Sequence, residues 1–261
     1  MSTQSIVSIV RFSCIAMFLH LTAACAPTVN VAKLSGVNKL AVIGYTATVE
    51  KEDSTLDLSA IVNHGKTQDN AIIAYRQLTS SLQDHLKWDV LPYEDVIGNP
   101  HYQTVFEQTQ RGSTLAGLQS AMASVSSDYH PKGIIWALRA NSMNQSERDE
   151  LLDALGVDAV ASAQVYIRAE SSGFLFFTTA TTYSAQVAFR VWARGSSEEI
   201  WKDLVAQGDE SDLSGGIKLS VHGISVSSQD QQAYLEAVQL GYQALLERYD
   251  EAKKKAEAEL N

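Results

Sequence analysis

The chain has 261 residues, a formal net charge of −10 and 45% hydrophobic residues. This length suits one large domain, or one domain with elaborations. An acidic chain argues against nucleic-acid binding, because phosphate contacts require clustered lysine and arginine. The basic run Lys253-Lys254-Lys255 is followed by Glu257 and Glu259 and is typical of a solvated helix face.

Residues 1–24 have the order of a bacterial lipoprotein signal peptide. Arg11 precedes an uncharged, mostly apolar run from Phe12 to Ala24, and "LTAAC" places small residues directly before Cys25. The run is too short for a bilayer, which needs about 20 apolar residues, and suits the roughly 7–15-residue core of a signal peptide. We therefore predict cleavage before Cys25 and diacylglycerol attachment to its sulfur. Two alternatives remain open, namely a signal peptide cut after Ala24 without lipid attachment and a first core helix.

Cleavage would leave a mature chain one charge unit more negative, because Arg11 is the charged residue that is lost. Cys25 would be its sole cysteine, which excludes an intramolecular disulfide and a cysteine-based metal site. Ala26 and Pro27 then follow in place of the aspartate that favours inner-membrane retention in many Gram-negative bacteria. We expect the protein on the periplasmic face of the outer membrane, bound to that membrane through the lipid on Cys25.

The first elements are predicted after a lipidated tether at residues 25–38. The β-branched apolar run Lys39–Tyr45 predicts a buried strand, and residues 46–68, which have no sustained period, predict a loop. Asp69 is placed to cap an amphipathic helix. Its apolar positions recur every three or four residues: Ile72, Tyr75, Leu78, Leu82 and Leu86.

The middle of the chain gives weaker signals. Residues 88–97 predict a second strand, in which Pro92 favours a sheet edge or an early end. Within residues 98–145 the patterns favour helices at 104–111 and 113–125, a turn at 130–133, and a strand or helix start at 133–138.

A helix at residues 146–155 is predicted from Ser146 and Asp149 at capping-box positions and from Gly156 at its end. Three alternating β-rich segments follow and predict an antiparallel meander: residues 157–170, 181–194 and 198–211. Residues 215–227 fit a further hairpin or a loop.

A long C-terminal helix, capped by Ser228 or Asp230, ends the predicted domain. Its apolar face comprises Leu235, Val238, Tyr242, Leu245, Leu246 and Tyr249. The predicted fold is an α/β (α+β) domain at residues 39–250, with a mixed or antiparallel sheet and helices packed on it. A charged helical tail at residues 251–261 follows.

Three short motifs carry a resemblance to known envelope proteins: Ala41–Tyr45 ("AVIGY"), Leu155–Val160 ("LGVDAV") and Glu199–Trp201 ("EIW"). In this order of elements the chain resembles a group that comprises the curli secretion channel lipoprotein, the lipoprotein activator of penicillin-binding proteins and the N-terminal domain of TolB. The resemblance implies an α/β sandwich with helices on a mixed sheet, a periplasmic location, and a binding or assembly role without catalysis.

We find no catalytic residue, metal site or cofactor motif in the sequence. The scattered histidines lack metal-ligand spacing, and we interpret them as surface or capping residues: His64, His85, His101, His130 and His222. The stretch "HGKT" (64–67) has Ala60 where a phosphate-binding loop would need glycine, and we interpret it as an ordinary loop.

The segment Ser171–Thr182, between two predicted strands, is the candidate contact site. It places four apolar residues in succession at the tip of a hairpin: Phe174, Leu175, Phe176 and Phe177. Hairpin tips are ordinarily polar, and an exposed apolar tip usually marks a partner or membrane contact. The alternative is that the tip folds back into a satellite core. In the curli channel a corresponding hairpin region helps to build the membrane pore.

These observations predict a non-catalytic, outer-membrane-anchored periplasmic lipoprotein. We expect it to bind an envelope protein, or to self-associate, in envelope biogenesis, secretion or polymer export. Two alternatives stay open: an oligomeric secretion pore of the curli-channel type, and a periplasmic hydrolase whose site is assembled in space.

The lipid anchor can be tested directly. Radiolabelled palmitate is expected on the wild-type protein and absent from Cys25→Ala, because the acylated residue is then missing. The control Cys14→Ala lies inside the predicted signal peptide and should keep the label. Continued labelling of Cys25→Ala would overturn the assignment.

Overall fold

The computed structural model describes residues 26–51, 64–111, 128–174, 177–207 and 228–260. Its strands are β1 (Thr28–Val29), β2 (Lys39–Lys51), β3 (Asp89–Val90), β4 (Asp128–Tyr129), β5 (Ala159–Phe174), β6 (Phe177–Ala193) and β7 (Trp201–Gln207). Its helices are α1 (Val31–Leu34), α2 (His64–Leu86), α3 (Tyr93–Gly98), α4 (Pro100–Arg111), α5 (Ala137–Ser142), α6 (Gln145–Leu155) and α7 (Ser228–Leu260).

The strands form one mixed sheet in the order β1-β7-β6-β5-β2-β3, with β4 paired to β2 outside that path. β5, β6 and β7 are the predicted antiparallel meander, whereas β2 runs parallel to β5 and β3. This mixed sheet, its covering helices and the long C-terminal helix confirm the predicted fold class.

Residues 40–47 of β2 are buried on both faces, as their largely apolar sequence predicts. Its register with β5 shifts between Val42 and Gly44, so Ile43 has no partner in β5 at this bulge. Two tyrosine hydroxyls donate to the carbonyl oxygens here: Tyr75 to Val42 and Tyr102 to Ile43, each at 2.7 Å. α2 and α4 are thereby joined to the central strand.

Gly44 and Tyr45 of β2 point to opposite faces of the sheet. A Cβ on Gly44 would lie 2.4 Å from the Cβ of Ala140, so α5 packs on that face at a distance that only glycine permits. The Tyr45 hydroxyl lies 2.8 Å from that of Tyr242 on the other face. Tyr242 donates to the Ala74 carbonyl at 3.0 Å, which leaves its oxygen to accept from Tyr45. α2 and α7 therefore cover the face opposite α5.

Burial raises the pKa of the Tyr45, Tyr75 and Tyr242 hydroxyls above the ordinary value of tyrosine. These hydroxyls therefore stay protonated and keep their protons for donation.

α6 covers the same face as α5 and is fixed by a buried arginine. Arg148 lies over the Trp192 ring at 4.9 Å and donates to the carbonyls of Met143 and Ser197. The helix begins with a capping box formed by Asn144 and Glu147, not by the predicted Ser146 and Asp149. Its predicted end at Gly156 is confirmed, since that residue adopts the left-handed conformation at φ 64°.

The predicted loop at residues 46–68 is wrong in its described parts. β2 continues to Lys51, because the long strand β5 supplies backbone partners as far as Ala169. α2 begins at His64, so the predicted cap Asp69 lies within the helix and "HGKT" forms its first turn, not a loop.

The strand predicted at residues 88–97 is also wrong beyond its beginning. Asp89 and Val90 pair with β2, after which Pro92 becomes the N-cap of α3 with φ −59° and ψ 155°. A proline lacks the N–H that a continuing strand needs, but is tolerated at a helix start. The helix predicted at residues 104–111 is confirmed within α4, whereas residues 113–125 and 215–227 lie outside the described residues.

The predicted tether at residues 25–38 is mostly part of the domain. Thr28 and Val29 pair with β7, and Leu34 and Val37 are buried in the core. Their apolar side chains are the physical reason that this segment packs on the sheet.

The contribution of the tyrosine bonds can be measured. Tyr102→Phe is expected to lower the free energy of unfolding by about 2–4 kcal/mol, because the Ile43 carbonyl loses its donor and the Ile135 N–H its acceptor. The matched control is Tyr234→Phe, since its buried hydroxyl has no hydrogen-bond partner among the described residues. We expect the control to stay within about 0.5 kcal/mol of wild type in urea unfolding. Equal losses in the two variants would contradict this account.

Candidate functional site

Among the described residues, the β5–β6 hairpin extends beyond its last pairs with the strands on either side of it. The last pair of β2 with β5 is Lys51 with Ala169, and the last pair of β7 with β6 is Gln207 with Gln186. Beyond these pairs, within the described chain, the hairpin strands pair only with each other. On the β7 side, β6 spans about 30 Å from its start at Phe177 to Gln186, at the usual ~3.3 Å per residue. On the β2 side, β5 continues past Ala169 to Phe174, about 17 Å.

The end of the hairpin carries two of the four predicted contact residues. Phe174 and Phe177 are its last backbone pair, and Leu175 and Phe176, which connect them, lie outside the described residues. The structure thus brings the two strand ends together at the predicted place. The role of these residues as a contact tip stays a prediction, as does lipidation at Cys25, which also lies outside the described residues.

A β-bulge interrupts the hairpin just before its end. The register shifts between Ser172, which pairs with Ala180, and Gly173, which pairs with Thr178. A bulge adds a bend and local twist and is common where a strand leaves its sheet. Gly173 suits such a position, because glycine in a strand often marks a bulge.

The sheet face opposite α7 carries three basic residues. Arg190 and Lys202 are direct cross-strand partners, and Arg168 of β5 lies about 20 Å further toward the hairpin end. Arg190 and Lys202 contact the Glu199 carboxylate at 2.8 and 3.9 Å. Leu204 of the same face has 39% of its surface exposed. The face is therefore polar and partly exposed near the point where the hairpin leaves the sheet.

A shallow groove of about 500 Å³ lies between α2 and α7. Its lining is mostly amide: Gln77, Gln231, Gln232, Leu235, Glu236 and Gln239. Gln231 donates to Asn70 at 2.6 Å and Gln239 to Ser81 at 3.3 Å, so these amides join the two helices. Amide side chains do not titrate, and the groove is suited to polar contact more than to acid–base chemistry.

A second shallow groove follows the surface of α6 and is acidic, with Asp149, Glu150 and Asp153 among its residues. Two of these carboxylates already have partners, since Asp149 accepts from the Gly195 N–H at 2.9 Å and Asp153 from Arg194. They fix the turn after β6 to α6.

The histidines are not brought together. His85 lies 3.0 Å from Asp250, and the His130 ring stacks on Trp136 with centroids 4.4 Å apart. His101 is exposed on α4, His64 begins α2, and His222 lies outside the described residues. Among the residues that the structure describes, no three His, Cys, Asp or Glu side chains are grouped as a metal ion would require. The same residues include no helix both long and apolar enough to cross a bilayer.

The role of β1 at the sheet edge was missed by the sequence reading. Asn30 accepts from the Lys33 N–H at 3.1 Å as the N-cap of α1, and its own N–H donates to the Ile200 carbonyl at 2.8 Å. The capping asparagine before "VAKL" was a local signal for this helix.

Comparisons with known proteins give little further guidance. No protein-family model matches the chain, and no curated protein matches it. Among solved structures, the chain is similar to the lipoprotein GNA1162 from Neisseria meningitidis at 15% sequence identity, over 64% of this chain and 78% of that chain. The TM-score is 0.29, and we base neither fold nor function on a likeness this distant.

Proposed function

We propose that the protein is a non-catalytic lipoprotein, held at the periplasmic face of the outer membrane by an acyl group on Cys25. Its β5–β6 hairpin binds an envelope protein, or another copy of the chain, in envelope biogenesis, secretion or polymer export. The observation that carries this proposal is the extension of the hairpin beyond the described parts of β2 and β7 to the backbone pair of Phe174 and Phe177.

The outer edges of the hairpin beyond β2 and β7 have no backbone partner among the described residues. A two-stranded ribbon is marginally stable in water by itself, and its outer edges present unpaired N–H and C=O groups. Soluble proteins usually blunt such edges with charge, proline or covering segments. A ribbon that ends in the run "FLFF" is instead suited to pairing or packing with a partner.

A second candidate is an oligomeric secretion pore of the curli-channel type. The observation that favours it is the length of the hairpin beyond β7, about 30 Å, which is close to the ~30 Å hydrocarbon core of a bilayer. In this alternative, hairpins from several copies would together enter the membrane.

The two candidates differ in what a photo-crosslinking residue at position 178 should capture in intact cells. A discrete adduct with another envelope protein supports the binding role. An adduct between copies, together with a heat-sensitive oligomer in detergent and conductance in planar bilayers, supports the pore. Absence of any protein adduct and of conductance would contradict both.

The contact tip itself is tested by replacing Phe174, Phe176 and Phe177 with Ser. We expect the crosslinked adduct to disappear while the urea unfolding midpoint stays close to that of wild type, because Phe174 and Phe177 pair with each other at the end of the hairpin. The contrasting variant is Phe189→Ser, whose side chain is completely buried between β6 and α7. It should lose about 3 kcal/mol or more of stability. If the tip variant unfolds at as low a urea concentration as Phe189→Ser, the tip belongs to the core and the proposal fails.

A further inference from the structure

The first part of β6, residues 177–182, has a backbone edge that can accept a further strand. Within the described chain its backbone partners all belong to β5, because β7 pairs with β6 only from Gln186 onward. Natural proteins usually blunt such an edge with charged residues or proline. Residues 177–182, "FTTATT", contain neither, and they are rich in threonine, which favours strands.

The other edge of the hairpin, on β5, is less suited to pairing. Beyond its last pair with β2, β5 has only the five residues Glu170–Phe174. They include the charged Glu170, and they include Gly173, a residue type depleted in strands. Charge on an edge strand opposes the addition of another strand. Of the two hairpin edges, that of β6 is therefore the better site for pairing.

The residues along the β6 edge have the same order of types in both directions. Residues 177–183, "FTTATTY", have alanine at the centre, two threonines on each side and an aromatic residue at each end. Two identical antiparallel strands related by a two-fold axis require this self-complementarity. With the axis at Ala180, threonine lies opposite threonine at four places and Phe177 lies opposite Tyr183 at two. Both kinds of cross-strand pair stabilise antiparallel strands.

The available edge accommodates this ladder. It would end at Tyr183, three residues before the first pair of β6 with β7. Thr179, the extra residue of the β-bulge, has no partner in β5 and would pair with Thr181 of the second copy. Two hairpins would together form a four-stranded antiparallel sheet. A two-stranded ribbon is marginally stable in water, and three or more strands are needed for independent stability, so the second copy stabilises the hairpin.

We propose that two copies of the chain associate by antiparallel pairing of their β6 strands about a two-fold axis at Ala180. This proposal rests on the proposed function and specifies its partner, since the hairpin binds a second copy and the assembly closes at two chains. A ring of the pore type differs, because β6 of one copy would have to pair with the β5 edge of the next, which carries Glu170.

Single thiols in the full chain test the axis, with oxygen and copper phenanthroline as the oxidant. Ala180→Cys is expected to form a disulfide-linked dimer, because directly opposed residues have Cα atoms about 4.5–5.5 Å apart, within disulfide range. The matched control is Ser172→Cys, at the β5 residue that pairs with Ala180. Its two copies would lie three strand spacings apart, about 14 Å, and should not crosslink. Wild-type protein measures any disulfide formed by Cys25.

The register is tested with two further variants. Thr178→Cys and Thr182→Cys should give no dimer when each is expressed alone, because identical positions then lie at least about 13 Å apart. When the two variants are co-expressed with different tags, a mixed disulfide dimer carrying both tags is expected, because these positions face each other across the axis.

Absence of a dimer with Ala180→Cys, or equal crosslinking at positions 180 and 172, would overturn the inference. The photo-crosslinking residue at position 178 separates this result from failure of the proposed function. An adduct with another envelope protein, without a disulfide dimer at position 180, would refute only the self-pairing. Absence of both the disulfide dimer and any adduct would refute the hairpin as a binding site.

Discussion

The bulge in β2 between Val42 and Gly44 is the constraint on which the layers of the fold depend. It lies among buried residues of the sheet, where an unpaired carbonyl costs about 1–3 kcal/mol. The hydroxyls of Tyr75 and Tyr102 bind the carbonyls there and fix α2 and α4 in the same step. Gly44 sets the distance between β2 and α5, because a larger side chain would collide with that helix. One irregularity in one strand thereby positions helices on both faces.

The other centre of organisation is β7, where both ends of the described chain meet. β1 pairs with its outer edge, and α7 covers one face through the buried Asp203, which binds Arg248 at 2.8 and 3.0 Å. β1, which follows the proposed anchor site, and β6 of the hairpin therefore pair with opposite edges of β7.

The sequence allowed the local elements to be predicted where their pattern agreed with the final packing. The meander, the end of α6 at Gly156 and the C-terminal helix are of this kind. The extension of β2 to Lys51 depends on hydrogen bonds to β5, which is distant in sequence. After Pro92 the structure has a helix where a strand was predicted, because the apolar residues there suit either structure. For the site, the run "FLFF" indicated a tip, but neither the projection of the hairpin nor the capture of β1 by β7 is encoded in a local pattern.

The parallel pairing of β2 with β5 also constrains the order of folding. Lys39 and Asp158, whose N–H and carboxylate join the bases of these strands, are 119 positions apart. Closing so long a loop is slow compared with forming the β5–β6–β7 meander, whose contacts are local. β2 can pair with β3 and β4 earlier, but its long pairing with β5 requires the later half of the chain. In a protein attached to a membrane near its first strand, β5, β6 and β7 would pair first. β2 would then join β5 at the membrane surface.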